Sequence, residues 1–201
     1  MAVRLHVGCG TVYLDGYVNL DVEVPGYSFL ASERPDLADR NRTTVDRYYK
    51  KEESQASLEH GPGGVQHCVV DRYADLRALP YEPDTADEIR NVQVLEHLGM
   101  REAPAVLRHW YEILRPGGML HVDVPDFEET ARQLLAQPDE ASKDWYYRLV
   151  YGSQKNAYAF HKNGFSPARL ERLLREAGFR EVRPVENRIH FYPVAIAEAI
   201  K

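Results

Sequence analysis

An α/β fold built on a largely parallel sheet is predicted by three features of the sequence. A short apolar-alternating strand, Leu5-His6-Val7, runs straight into Gly8-Cys9-Gly10. A second strand, Tyr17-Val18-Asn19-Leu20, ends on the acidic Asp21. Beyond these, short strand-like runs alternate with apolar stripes at helical spacing, the pattern of β–α units stacked on a parallel sheet.

The elements follow in order. The gap between the first two strands is too short for the dozen or so residues of an ordinary crossover helix, so a turn or so of helix is expected around Val12 to Asp15. Residues 22–64 show no strand pattern: a polar, partly helical stretch over about Pro35 to Leu58 leads to the breaker Gly61-Pro62-Gly63-Gly64. Val65 to Val70 reads as the third strand, ahead of Asp71 and Asp75, and Glu88 to Val92 as the fourth. Ala103, Val106, Leu107, Trp110, Ile113 and Leu114 mark one face of a helix, which Arg115-Pro116-Gly117-Gly118 stops. Met119 to Val124 is the fifth strand. Residues 126–150 read as one helix with an aromatic end at Trp145-Tyr146-Tyr147. Ser166 as N-cap and Pro167 in the first turn open a last helix, striped by Leu170, Leu173, Leu174 and Ala177 and ended by Gly178. Strands around 181–185 and 191–197 bring the expected sheet to seven. One domain over 1–201 is expected, with an insert or cap at about 22–64 and a second cap region at about 126–163.

Composition narrows the function classes. At 201 residues, 44% apolar and 28% charged, the chain resembles ordinary globular proteins. No apolar run reaches the roughly 20 residues of a membrane helix, and the N-terminus lacks a signal-peptide stretch, so a cytoplasmic location is expected. Two cysteines, Cys9 and Cys68, make no disulfide framework. A net charge of −6 argues against a nucleic-acid partner. The basic residues Arg40, Arg42, Arg47, Lys50 and Lys51 alternate with acids and read as a solvated face. His60, His67 and Cys68 lack metal-ligand spacing, so no structural metal is expected. The sequence carries no sign of an oligomeric state.

The chemistry starts at the glycine loop. Ligands of open α/β sheets sit beyond the carboxyl ends of the strands, where strand order reverses, and an acid ending the next strand accepts hydrogen bonds from a ribose diol. Gly8 and Gly10 permit close backbone approach, and Asp21 is placed for the ribose. The dinucleotide pattern needs a third glycine, but Gly10 is followed by Thr11-Val12-Tyr13. A nucleoside without a pyrophosphate fits that loop better.

Later segments carry a more specific likeness. The run from Asp75 through Leu79-Pro80 to Asp84 and Asp87, then Val94-Leu95-Glu96-His97-Leu98, Leu114-Arg115-Pro116-Gly117-Gly118, and Phe165 to Phe179 ending in Ala177-Gly178-Phe179 follow one another in a familiar order. Together they resemble class I S-adenosylmethionine-dependent methyltransferases, particularly a small bacterial branch of the type 11-like group. That resemblance implies a Rossmann-like, doubly wound, mostly parallel seven-stranded sheet with helices on both faces. It implies S-adenosyl-L-methionine as cofactor and S-adenosyl-L-homocysteine as product. By the same resemblance Gly8, Cys9 and Gly10 pass beneath the methionine and ribose, and Asp21 takes the ribose hydroxyls. Asp75 accepts from the adenine amino group, Leu76 offers its amide to the ring, and Asn91 and Gln93 lie near the methionine ammonium. His97 lines the acceptor side.

Location adds Asp126, after the fifth strand, and His161, ahead of the late helix, as base or substrate-positioning groups. Tyr13, Tyr158 and Phe160 are candidates for aromatic walls. Each has a plainer reading: Asp75 as a turn cap, Asn91 and Gln93 as strand-end polar groups, Glu96-His97 as a structural pair, His121 as a satisfied core histidine, Cys9 as packing. Methyl transfer to a small-molecule or sugar acceptor, at oxygen or nitrogen, is the leading expectation. A nicotinamide-dependent oxidoreductase on a related sheet and a non-catalytic cofactor-binding partner protein are the alternatives.

Overall fold

A computed structural model describes residues 2–48, 67–188 and 190–201, so the Gly61–Gly64 breaker and the end of the 35–58 stretch lie outside the described residues. In chain order the strands are β1 (Arg4–Val7), β2 (Tyr13–Leu14), β3 (Val18–Asp21), β4 (Ser28–Leu30), β5 (Arg42–Thr43), β6 (Cys68–Val70), β7 (Arg72–Tyr73), β8 (Ala86–Val92), β9 (Leu114–Pro125), β10 (Glu181–Pro184) and β11 (Val194–Ile200). The helices are α1 (Pro35–Asn41), α2 (Glu102–Ile113), α3 (Phe127–Leu135), α4 (Asp144–Tyr151) and α5 (Pro167–Ala177). Seven strands form one sheet in the order β10-β11-β9-β8-β1-β3-β7. β7, β3, β1, β8 and β9 run parallel, whereas β11 is antiparallel to both β9 and β10. The chain leaves β1 toward β3 and β7, then returns to β8 on the other side of β1. The strand order therefore reverses between β1 and β8, the place where such sheets bind ligands.

Period-2 alternation sorts the strand residues onto two faces. Leu5, Val7, Leu20, Ile89, Leu120, Val122 and Val124 share one core cluster with Leu107, Trp110, Leu170 and Leu174 of α2 and α5. Full burial contributes about 1.5–3 kcal/mol per large apolar side chain. Trp110 is fully buried and its indole N–H donates to the Leu76 carbonyl at 3.0 Å, which leaves no polar penalty. The other face is polar: His6, Asn19, Arg90, His121 and Asp123 are all buried there.

The short first crossover contains no helix, contrary to expectation. Tyr13–Leu14 is extended and pairs in parallel with Arg42–Thr43. Asn19 does the stitching that a helix would otherwise do. Its side-chain oxygen accepts from the Leu14 N–H at 2.8 Å, and its amide nitrogen donates to Leu14 and Tyr17 carbonyls. The same oxygen accepts from His6 Nδ1 at 3.0 Å, and the Tyr48 hydroxyl meets His6 Nε2 at 2.7 Å.

Three further expectations are corrected. The described part of the 65–70 strand, β6, pairs with β4, and the third position in the main sheet belongs to the two-residue β7. Residues 126–150 form two helices, because α3 stops at Leu135 just before Gln137-Pro138, where proline disfavours helix in the preceding residue. His121 is buried but not satisfied: neither ring nitrogen has a hydrogen bond among the described residues, and Nδ1 lies 3.6 Å from Glu198. Ser166 occupies the N-cap of α5, but its side chain makes no capping bond. No helix among the described residues is long and apolar enough to cross a membrane.

Candidate active site

A cavity of about 840 Å³ opens at the carboxyl edge of the sheet, over the reversal between β1 and β8. Its floor is the turn that follows β1. Both glycines there have positive φ, +72° for Gly8 and +55° for Gly10, but they are needed for different reasons. A β-carbon on Gly8 would stand 2.5 Å from Val94, so that glycine makes room for the protein's own packing. A β-carbon on Gly10 would meet nothing within 4 Å, so that position faces open cavity. Cys9 between them is buried, with its thiol pushed well up by desolvation, so its side chain stays protonated at pH 7. Asp21, at the end of β3, accepts from the Gly10 N–H at 2.8 Å and the Val22 N–H at 2.7 Å. Burial raises its pKa despite those two bonds.

Asp75 and Leu76 also line the cavity. The Asp75 carboxylate caps the 3₁₀ turn Leu76–Ala78 and holds the Arg77 guanidinium through both oxygens, at 2.6 and 2.9 Å. Gln93 lines the cavity in the left-handed conformation at φ +56°, uncommon for a non-glycine residue. It is held there by its N–H on the Asp123 carbonyl at 2.8 Å and its side chain on the Asp123 carboxylate at 2.6 Å. Asn91 is placed differently from expectation. It is fully buried within the sheet and absent from the cavity lining, and its amide donates to the Val7 carbonyl at 3.0 Å. It therefore braces the strand that launches the glycine loop.

Elsewhere in the cavity lining the fold brings together His97, His161 and Glu96, a residue that the sequence pointed to only as a structural partner of His97. His97 Nδ1 bonds the Phe160 carbonyl at 3.0 Å, and His161 Nδ1 bonds the Leu149 carbonyl at 2.8 Å. A carbonyl only accepts, so each Nδ1 carries the proton and each Nε2 keeps a lone pair. Both Nε2 atoms lie 3.9 Å from Glu96 Oε1, and the rings meet edge to face at 4.8 Å. The Glu96 carbonyl accepts from the Lys162 and Asn163 N–H groups, which pins the His161 loop beside it. Desolvation lowers both imidazoles, that of His161 to about 4 with His97 adding to the effect, so both rings are neutral at pH 7. Burial raises Glu96 well above the carboxylate range, and the nearby Asp123 charge adds to this.

Asp126 does not join this wall. It is the N-cap of α3, accepting from the Glu129 N–H at 3.2 Å, and it is not among the cavity-lining residues. Of the predicted aromatic residues only Tyr158 lines the cavity, while Tyr13 donates its hydroxyl to Asp71 instead. The aromatic wall comes from Trp145 stacked on Phe191 at 5.5 Å, with Tyr192 alongside. Beneath it His190 meets the buried Asp123 carboxylate at 2.7 Å. Arg148, Lys155 and Lys162 line the cavity too, and none is ion-paired with a described acid. The Leu95-Glu96-His97 run marks Glu96 only as a neighbour of His97, and no local motif announces the Trp145–Phe191 stack; partners distant in sequence define both.

Solved structures with the same fold are numerous. A Nostoc punctiforme protein provisionally assigned as an O-methyltransferase is 13% identical, with the match covering 100% of this chain and 52% of that one at a TM-score of 0.53. A complex of the Haloferax volcanii Trm112 methyltransferase activator with a provisionally assigned methyltransferase gives 14% identity, 99% and 81% coverage and a TM-score of 0.56. Human N-acetylserotonin methyltransferase in complex with S-adenosylmethionine gives 15%, 99%, 47% and 0.50. At such identities the likeness is one of fold, and this chain spans about half the length of the Nostoc and human proteins. No curated protein sequence matches. A family model described as "Methyltransferase domain" matches residues 15–183. That match takes in most of the chain, and the strand order of the sheet agrees with it: the chain belongs to the class I S-adenosylmethionine-dependent methyltransferases.

Proposed function

We propose that this chain transfers a methyl group from S-adenosylmethionine to a small-molecule or sugar acceptor. The observation that carries the reading is a single cavity at the strand-order reversal, lined both by the Gly8–Gly10 loop and Asp21 and by the His97–His161 pair. Open space stands over Gly10, and the Asp21 carboxylate, with about four lone-pair sites, has capacity for a ribose hydroxyl beyond its two backbone bonds and the Cys68 thiol contact, which supports a nucleoside in the donor half. When bound, S-adenosylmethionine supplies an electrophilic methyl group with a good leaving group. In this reading Gly8, Cys9 and Gly10 give it a backbone floor, Asp21 holds the ribose, and Asp75 and Leu76 meet the adenine. Gln93 holds the amino-acid end, and Asn91 acts indirectly by bracing β1.

Displacement at a sulfonium depends chiefly on alignment. His97 and His161 each offer a neutral Nε2 that accepts a hydrogen bond from an acceptor hydroxyl or amine, which fixes the nucleophile and receives its proton. The Trp145, Phe191 and Tyr192 rings suit the apolar face of a sugar or an aromatic ring. Arg148, Lys155 and Lys162 favour an acceptor that carries negative charge. Thermal unfolding with added ligands tests the donor half: S-adenosylhomocysteine raises the midpoint and NADH does not. The reverse pattern would support an oxidoreductase, and binding without product over a broad acceptor screen would support a non-catalytic partner protein.

A further inference from the structure

We propose that Glu96, His97 and His161 form a binding site for one first-row divalent cation in the acceptor half of the cavity. The ligand-bearing atoms of the three side chains all lie within 4.8 Å of one another, and both imidazole Nε2 atoms stand 3.9 Å from Glu96 Oε1. Two nitrogens and an oxygen around a tetrahedral ion with bonds near 2.1 Å lie roughly 3.4 Å apart. Side-chain movements of about half an ångström close the set around an ion.

Two independent observations point to a ligand. Glu96 is 1% exposed, and neither carboxylate oxygen has a hydrogen-bond partner among the described residues. Buried polar groups without partners are rare and need a reason. Both histidines, moreover, direct Nδ1–H at backbone carbonyls, Phe160 for one and Leu149 for the other. That is the outer hydrogen bond which fixes the tautomer of a ligating histidine and aims Nε2 at the ion. The backbone bonds from Lys162 and Asn163 to the Glu96 carbonyl hold the two ligand segments in register. The other metal-capable cluster, Cys9, Asp21 and Cys68, is a poorer candidate because the Asp21 oxygens are already engaged by the Gly10 and Val22 N–H groups and the Cys68 thiol.

Nitrogen and carboxylate donors suit Zn²⁺, Mn²⁺, Fe²⁺ or Co²⁺. Three protein ligands leave open positions toward the cavity; with the ion bound both Nε2 lone pairs are occupied, and the ion itself takes the acceptor oxygen that the imidazoles hold by hydrogen bond in its absence. Only this last point rests on the methyl-transfer reading. Cation binding itself does not.

The chelator-treated 201-residue chain titrated with Co²⁺ tests the site. We expect one equivalent to bind, with visible ligand-field bands and two paramagnetically shifted exchangeable imidazole N–H resonances, one for each Nδ1–H. His97→Ala, His161→Ala and Glu96→Gln each weaken binding by at least about tenfold, while each variant keeps the thermal shift given by S-adenosylhomocysteine. Lack of stoichiometric Co²⁺ binding, fewer than two shifted N–H resonances in the wild-type chain, or unchanged affinity in folded variants would overturn the proposal. A Co²⁺ site of the expected kind in a chain that ignores S-adenosylhomocysteine would overturn the methyl-transfer reading and leave the cation site standing.

Discussion

Gly8 and Gly10 look interchangeable in the sequence, yet they meet different neighbours. Gly8→Ala forces a β-carbon to 2.5 Å from Val94 in a left-handed backbone, so it should cost about 2–4 kcal/mol of stability in urea unfolding. Gly10→Ala carries only the conformational penalty, about 1–2 kcal/mol, but fills the cavity floor and should weaken S-adenosylhomocysteine binding. Equal stability losses in the two variants would contradict this division. The residue scale also shows where sequence and structure part. Gly8, Gly10, Asp21 and His97 are legible because neighbours near in sequence define them. Glu96 became notable only through His161, which a loop bonded to the Glu96 carbonyl brings back from a distant part of the chain. Asn91 was misplaced because strand-end polar residues alternate between the cavity and the sheet interior.

An element boundary decides the role of one carboxylate. Asp126 was legible as the acid after the fifth strand. Its place as N-cap of α3 depends on a bridge between Asp126 and Phe165 and on the Glu129 N–H bond. Asp126→Ala should cost about 1 kcal/mol of stability and leave methyl transfer intact, whereas His161→Ala should depress kcat. A kcat loss for Asp126→Ala as large as that for His161→Ala would return Asp126 to the chemistry. The sheet was readable from alternation in β1, β3, β8 and β9. The two-residue β7 carries too little pattern to be seen, and the break between α3 and α4 rested on a single proline. The missing crossover helix follows from Asn19, whose side chain takes up backbone groups of Leu14 and Tyr17.

At the scale of the molecule, the polar face of the sheet gives stability a pH dependence. Burial lowers His6 to about 4 and His121 to about 3, against 6.5 in an unfolded chain. The folded values lie below the unfolded one, so the unfolded state gains protons first as pH falls. Stability present above pH 6.5 is therefore lost progressively down to about 4 for His6 and about 3 for His121, by about 3 kcal/mol or more each. His121→Leu, which removes no hydrogen bond, should flatten the urea midpoint between pH 7 and pH 4; an unchanged slope would show that His121 is not buried neutral. The central claim concerns the cavity at the β1–β8 reversal and the nucleoside that Asp21 holds there. Calorimetric titration with S-adenosylhomocysteine, run on the wild-type chain and on Asp21→Ala, tests it most directly. One site is expected, weakened about 10- to 100-fold by the loss of charged hydrogen bonds to the ribose. No binding to the wild-type chain, or equal affinity in a folded Asp21→Ala variant, would contradict the account.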